Sequence, residues 1–408
     1  MEKNKIRKDA YMVFGYACNQ KCICCPCKKE QKLQKTKKLK ELQSEIDRMV
    51  ERKITDVTVS GGEPTVYPEF FKIVKYIFSK NLNLHILSNG EKFADKEFTQ
   101  KFVEISQGKN VTVTTTFHSY KKFEHEKQNG SNGSFDRSLK GLKILDKNNI
   151  SIALKQCITR YNYKELKDFI KFLSENFSAK TEIQFWGIDL CGMDEKSANE
   201  YFVEFKEIRP YIEEALDYFE TSNVNRNQLL TINNLPLCMC DCYYWNYFTL
   251  PSDRYYVDYK AQEEHNFSKN FGLPFIACRS CNFAKYCKGT YLSVYNVFGN
   301  SVIEKPACEN VVLQYKPRYI NYNEKNINKL FFSIYSVIYL TAKGLAILNR
   351  KNNYEINIRL RFENIKELIK SFDEGIRKED AEKLLKRMKI KNPENIIEDW
   401  MLRGIIEW

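Results

Sequence analysis

Residues 11–28 read YMVFGYACNQKCICCPCK. The run 11–17 reads as a strand that delivers the chain to Cys18, and Cys22 and Cys25 follow at spacings of four and three. A loop of that length can wrap three thiolates around one metal group. On a [4Fe–4S] cubane, three protein thiolates leave one of the four irons open. A zinc knuckle is the competing reading, although zinc sites more often use paired C-x2-C elements. Cys24 and Cys27 do not satisfy the spacing and are taken as spectators.

Outward from this loop, extended segments alternate with helical ones. Strands are expected at 11–17, 56–60, 82–88, 111–117, 151–158 and 181–188, where pairs such as Val57/Val59, Leu84/Ile86 and Val111/Val113 keep a two-residue period. Between them, Leu39, Leu42, Ile46 and Met49 share one helical face. Phe70, Ile73, Val74 and Ile77 share another, and Leu166, Phe169, Ile170 and Leu173 a third. Six β-α units in series predict an α/β fold, a partial (β/α)6 TIM-like barrel with a parallel sheet and right-handed crossovers. Such barrels carry their chemistry at the C-terminal ends of the strands.

The barrel is assigned residues 1–225, with a long helix at about 196–220. Residues 226–316 lack clear periodicity and are rich in cysteine, as expected of a small iron–sulfur domain ordered by metal rather than by a large core. Residues 317–408 read as a mainly helical region ending in a helix at 396–408.

Composition narrows the function class. At 43% apolar and 14% aromatic the chain has material for packed cores, which excludes a disordered protein. The longest uncharged run, residues 330–342, is too short to span a bilayer as a helix, so it reads as a buried core element and no membrane partner is expected. No signal peptide is recognised, and the fourteen cysteines then point to reduced thiols in the cytoplasm. Five of them fall at 18–27 and seven at 238–308, a clustering that metal explains. The net charge of +13 includes a Lys-rich run at 28–40, read as a solvated loop and helix face rather than a nucleic-acid site.

The second strand runs into Ser60-Gly61-Gly62-Glu63-Pro64. Two glycines there let the backbone approach a ligand closely, and Glu63 can accept from an ammonium group. CxxxCxxC after the first strand followed by GGEP after the second resembles the radical S-adenosylmethionine (SAM) superfamily. The resemblance implies that Cys18, Cys22 and Cys25 bind the [4Fe–4S] cluster that cleaves SAM, while Gly61, Gly62, Glu63 and Pro64 bind its methionine moiety. Ser88-Asn89-Gly90, at the third strand's end, matches the usual T-N-G segment and is expected near SAM. Residues 133–137, GSFDR, also match relatives, but His118-Ser119 stands where many carry Asp-Gly, so the ribose contacts are unassigned.

Cys278, Cys281 and Cys287, with Cys308 beyond, resemble the SPASM or twitch extensions of peptide-modifying radical SAM enzymes. The resemblance implies one auxiliary [4Fe–4S] cluster on these four. The further cysteine of the full pattern is replaced by Tyr291. Cys238, Cys240 and Cys242 are the candidates for a second auxiliary cluster, since alternate residues of an extended segment share a face; the alternative is that they are reduced buried thiols. Cys157 and Cys191, near the ends of the fifth and sixth strands, are candidate hydrogen donors or small buried residues.

The function implied is hydrogen abstraction from a ribosomally made precursor peptide by a 5′-deoxyadenosyl radical, giving a crosslink, an oxidation or an epimerisation. A reductant protein such as flavodoxin or ferredoxin would be the second partner. Residues 317–408 are expected either to recognise the precursor's leader or to cap the cluster domain, and no leader-binding domain is expected ahead of the barrel. The competing classes are a small-molecule radical SAM dehydrogenase or cofactor-biosynthesis enzyme, and a basic iron–sulfur or zinc protein that binds nucleic acid. The last leaves GGEP unexplained and lacks a regular aromatic-basic pattern.

Overall fold

A computed structural model describes residues 8–33, 36–222, 228–249, 255–258, 271–279, 281, 283–284, 287–303, 329–333, 335–341, 344–349 and 351–408. Contacts divide the chain into two compact units. The first comprises Met1–Pro236, Thr249–Phe275 and Lys288–Ile303; the second comprises Leu237–Phe248, Ile276–Cys287 and Glu304–Trp408. The cysteine-rich region contributes segments to both units.

The first unit is built on a parallel sheet. Its strands are β1 (Lys8–Gly15), β2 (Asp56–Gly61), β3 (Asn83–Ser88), β4 (Val111–Thr116), β5 (Ser151–Cys157), β6 (Glu182–Trp186), β7 (Leu230–Asn233) and β8 (Tyr255–Asp258). They lie in the order β7-β6-β5-β4-β3-β2-β1-β8, and every neighbouring pair is parallel. Consecutive strands as parallel neighbours are the signature of a partial TIM-like barrel. The six expected strands are all present; β7 and β8 extend the sheet beyond them.

Helices α1 (Lys28–Leu33), α2 (Leu39–Glu51), α3 (Phe70–Ser79), α4 (Lys96–Ser106), α5 (Lys122–Asn129), α6 (Ser134–Lys147), α7 (Leu166–Asn176), α8 (Glu195–Tyr201) and α9 (Phe205–Thr221) follow the strands. Val57, Val59, Ile86, Val113, Leu154, Ile183 and Phe185 face them, all fully buried. Burial of this kind contributes about 1.5–3 kcal/mol per large apolar side chain. The helix expected at 196–220 is two helices. The chain is extended at Phe202, whose carbonyl accepts from the Arg160 guanidinium at 3.0 Å, while the Tyr201 carbonyl accepts from Arg160 N at 2.9 Å.

The sheet face turned away from the helices is different in kind. Register aligns Tyr11, Thr58 and His85 across β1–β3, and Thr116, Lys155, Gln184 and Thr231 across β4–β7. All seven are half-buried, so the inner wall of the barrel is polar and accessible.

In the second unit, helices Phe362–Asp373, Lys378–Arg387 and Pro393–Leu402 accompany a three-stranded antiparallel sheet, Ser336–Thr341, Gly344–Asn349 and Tyr354–Ile358. The helices bear out the mainly helical expectation for this region, and the sheet is an addition to it. A short apolar run such as 330–342 reads alike for a buried helix and a buried strand, and here β-branched Val337 and Ile338 pair with Leu348 and Ile347. The last helix ends at Leu402, and Ile406–Glu407 pairs with Phe331–Phe332. Among the described residues no helix is long and apolar enough to cross a membrane.

Candidate functional site

The site grows from the junction of β1 and β2. The Gly62 amide donates to the Gly15 carbonyl at 2.9 Å, and the Glu63 amide donates to the Ala17 carbonyl at 2.8 Å. A Cβ on Gly62 would lie 2.1 Å from the Ala17 oxygen, and Gly61 has φ +117° with its own Cβ position 2.4 Å from the Gly15 oxygen. Only two glycines allow the end of β2 to lie against the chain entering Cys18.

Glu63 then turns inward. It is 4% exposed, and its carboxylate accepts from Thr65 N (3.1 Å), Thr65 Oγ1 (2.6 Å), Ser88 Oγ (2.8 Å) and Asn89 N (2.6 Å). Burial raises its carboxyl pKa and these donors oppose the rise. The Glu63 side chain is therefore a clamp joining the ends of β2 and β3, with the protein's own donors filling the role read for an ammonium group.

Segment 88–91 in turn holds the cysteine loop. Asn89 Nδ2 donates to Asn19 Oδ1 at 2.7 Å, and Gln20 Nε2 donates to Glu91 Oε1 at 2.7 Å. Arg137 Nε donates to Glu91 Oε2 at 2.6 Å, which gives the GSFDR segment a part in the same network. On the other side, the amides of Lys21 and Ile23 both donate at 2.9 Å, to the Asn129 and Gln128 carbonyls at the end of α5. Positions 19, 20, 21 and 23 are thus all anchored, and Cys22 between them, with Cys18 and Cys25 on either side, is half-buried.

The sulfurs are near neighbours. Burial pushes the Cys18 thiol up to about 11, and burial followed by the charges of Cys24, Cys25 and Cys18 raises Cys22. Cys25 falls to about 7 because Cys27 hydrogen-bonds to it. Thiolates this close repel one another unless a cation offsets their charge, and a bound metal deprotonates such thiols outright. Among the described residues no three His, Cys, Asp or Glu side chains are arranged to hold a single metal ion. In a cubane each thiolate takes its own iron, and this three-sulfur donor set fits a [4Fe–4S] cluster.

Beyond the loop, Cys24 is raised to about 12 by burial and by the nearby Cys157, which stands half-buried at the end of β5. Tyr291 is also beside Cys157 and Asp189; burial first, then these two, raise its phenol well above the usual range, and Asn234 opposes them. The residue at the missing-cysteine position therefore belongs to the barrel unit. Cys191 is exposed, its amide donating to Asp189 Oδ1 at 3.0 Å. At the end of β4, His118 N donates to His125 Nδ1 at 3.2 Å. His118 Nδ1, His125 Nε2, both amide ends of Gln128 and Gln156 Oε1 are buried with no hydrogen-bond partner among the described residues.

The other cysteines lie in the second unit. Cys238 and Cys242 sit in 3-10 turns, Leu237–Met239 and Cys242–Tyr247, so the extended segment expected to align three sulfurs is not formed. Cys240 and Cys242 are buried, and Cys242 Sγ donates to the Leu360 carbonyl at 3.6 Å. Cys287 Sγ accepts from the Leu237 amide at 3.4 Å, which brings the two arrays together. Cys278, Cys281 and Cys287 are half-buried; Cys308 lies outside the described residues. Sequence reasoning missed Gln20, Glu91 and Lys155. The first two have no local signal, but a lysine amid the apolar β5 sequence SIALKQC was a visible one.

Residues 12–173 match the Radical SAM superfamily. Mycofactocin maturase MftC of Mycobacterium tuberculosis is 26% identical over 163 residues, 39% of this chain and 40% of that protein. Fe-coproporphyrin III synthase of Methanosarcina barkeri is 25% identical over 185 residues, 45% of this chain and 44% of that protein. The chain thus spans less than half the length of these relatives. The crystal structure of Streptococcus suis SuiB bound to precursor peptide SuiA has a TM-score of 0.52 at 14% identity, covering 74% of this chain and 76% of that one, a likeness of fold.

Proposed function

We propose, taking as premise that residues 12–173 are a radical SAM domain, that the chain reductively cleaves SAM and uses the resulting radical to modify a ribosomally made peptide. The observation that carries this reading is the double anchoring of the Cys18–Cys22–Cys25 loop against a Gly61–Gly62 turn with no space for side chains. When bound, the cluster supplies the electron that breaks a carbon–sulfur bond of SAM to give methionine and a 5′-deoxyadenosyl radical.

Cys18, Cys22 and Cys25 would hold it. The backbone of Gly61, Gly62 and Pro64, with Ser88 and Asn89, would cradle the methionine moiety, while Glu63 positions them by holding β2 to β3. The polar inner wall from Thr58 to Thr231 would receive the substrate. In the second unit, Cys278, Cys281 and Cys287, with Cys308, would hold an auxiliary [4Fe–4S] cluster. The contact of Cys287 with the Leu237 turn makes Cys238 the nearest further donor in sequence. Strand Tyr354–Ile358 is a sheet edge with Glu355 and Asn357 exposed, a place where an extended precursor segment could add a strand. Thirteen described cysteines outside any disulfide suit a reducing cytoplasm, with a flavodoxin or ferredoxin as electron source.

The experiment is anaerobic incubation of reconstituted protein, SAM and reductant with the peptide encoded by an adjacent short reading frame, followed by mass spectrometry. A mass change that depends on SAM supports the reading; SAM cleavage without any peptide change contradicts the peptide part. Similarity to a porphyrin-processing enzyme favours a small-molecule substrate as the second reading.

A further inference from the structure

Lys155 lies on the inner wall of the barrel, in register with Thr116 of β4 and Gln184 of β6. Its ammonium stands 4.3 Å from the centroid of the Trp186 ring, and that ring is held by its own Nε1, which donates to Gln184 Oε1 at 2.9 Å. Lysine and tryptophan are both half-buried. Among the described residues no carboxylate pairs with Lys155. Glu182, two positions before Gln184 on the same strand face, is engaged instead by Thr231 Oγ1 at 3.1 Å.

A half-buried ammonium without an anion is an unbalanced charge, and an aromatic face offsets it only in part. Its positive charge adds to the burial that lowers His85 and His118, which lie on β3 and at the end of the neighbouring β4. The methionine moiety of SAM is placed at the ends of β2 and β3, whereas Lys155 is on β5 with β4 between. Strands about 4.8 Å apart put roughly 10 Å between β3 and β5. Ser88 is level with Thr115, and Lys155 with Thr116, so the two positions lie within one residue of each other in depth and two strands apart along the wall.

We propose that Lys155 and Trp186 form the subsite that anchors a carboxylate of the substrate, so that the molecule modified carries an acidic side chain or a free C-terminus close to the reacting carbon. The anchor rests on the radical SAM reading for its purpose but not for its existence. Lys155 is a positioning residue: it fixes one end of the substrate while the reacting carbon faces the cluster loop.

The test uses the full chain, with SAM present, and glutarate as the probe. Indole fluorescence should respond saturably to glutarate and not to the uncharged diamide, glutaramide. Lys155→Gln should weaken glutarate about tenfold, as expected for one lost charge-assisted hydrogen bond. Lys155→Arg should retain binding, which separates loss of charge from loss of fold. Trp186→Phe should bind glutarate by calorimetry but lose the fluorescence response, against a constant background from Trp245, Trp400 and Trp408. Equal glutarate affinity in wild type and Lys155→Gln overturns the proposal. So does mutual displacement of SAM and glutarate with weaker SAM binding in Lys155→Gln, because Lys155 would then hold the carboxylate of SAM. If glutarate binds through Lys155 while SAM is never cleaved, the anion subsite stands and the radical reading falls.

Discussion

Replacing Glu63 by Gln tests whether this carboxylate is a clamp or a ligand contact. Three donors converge on Oε1, from Thr65 N, Thr65 Oγ1 and Ser88 Oγ, and Asn89 N alone reaches Oε2 at 2.6 Å. A glutamine can satisfy either set but not both. With its oxygen toward Thr65 and Ser88, its NH2 meets the Asn89 amide donor head-on; flipped, it leaves the Thr65 amide without an acceptor. Either way one buried backbone donor is orphaned, at about 1–3 kcal/mol. Removal of a buried charge returns part of this, since burial already raises the Glu63 pKa, and a net loss of about 1–2 kcal/mol is expected. Glu63→Ala removes the acceptor for all four donors and should lose about 3–5 kcal/mol, as breaking a buried charged network does. The assay is urea unfolding of the metal-free protein alongside SAM titration of the reconstituted one. Both stability and SAM affinity should fall in the order wild type, Gln, Ala. A loss of SAM affinity with unchanged unfolding would refute the clamp and show that Glu63 touches the ligand directly.

The neighbouring glycine gives a second test: Gly62→Ala drives a Cβ to 2.1 Å from the Ala17 carbonyl, so thermal unfolding should show a loss of several kcal/mol and SAM binding should vanish. Acid sensitivity follows from the buried histidines. Burial holds His85 and His118 at about 4 and His125 at about 3, with Lys155 contributing at the first two and His118 at the third. The folded protein then binds fewer protons than the unfolded chain from the ordinary histidine value of about 6.5 down to these values, so stability should rise with pH across that window, by up to about 3 kcal/mol for His85 or His118 and about 5 kcal/mol for His125. Denaturation midpoints between pH 4.5 and 7.5 should show this slope, His125→Gln should flatten it, and an unchanged slope in that variant would discredit the assignment. For the second array, joint replacement of Cys278, Cys281 and Cys287 by Ala should lower the iron content by about four per chain. An unchanged iron content would remove these residues from any cluster.

Much of the barrel was legible because strands such as β2, β3 and β6 alternate buried apolar residues with half-buried ones, and the helices between them carry apolar stripes at helical spacing. Val57 and Val59 on β2, with Ile46 on α2 and Ile73 on α3, are such a case, all fully buried. The cysteine loop and GGEP were legible as motifs, but their mechanics were not. That Glu63 faces Ser88 and Asn89, and that Gln20 reaches Glu91, depends on parallel strand neighbours bringing together residues 25 and 71 positions apart. No local pattern encodes those distances. The C-terminal sheet was missed for a different reason: residues 330–342 show no clean period, and only Ser333 and Ser336 mark the turn that separates the short strand Phe331–Phe332 from Ser336–Thr341. Likewise the alternate-residue argument for Cys238, Cys240 and Cys242 assumed an extended chain, whereas Asp241 caps a 3-10 turn by accepting from Tyr243 N at 2.9 Å.

Release of 5′-deoxyadenosine by anaerobically reconstituted protein, given SAM and a one-electron reductant, tests the central claim most directly. The wild type should release it, and joint replacement of Cys18, Cys22 and Cys25 by Ala should abolish release while leaving iron bound in the second unit. No 5′-deoxyadenosine from an iron-loaded wild type, or undiminished release from the triple variant, would contradict the account.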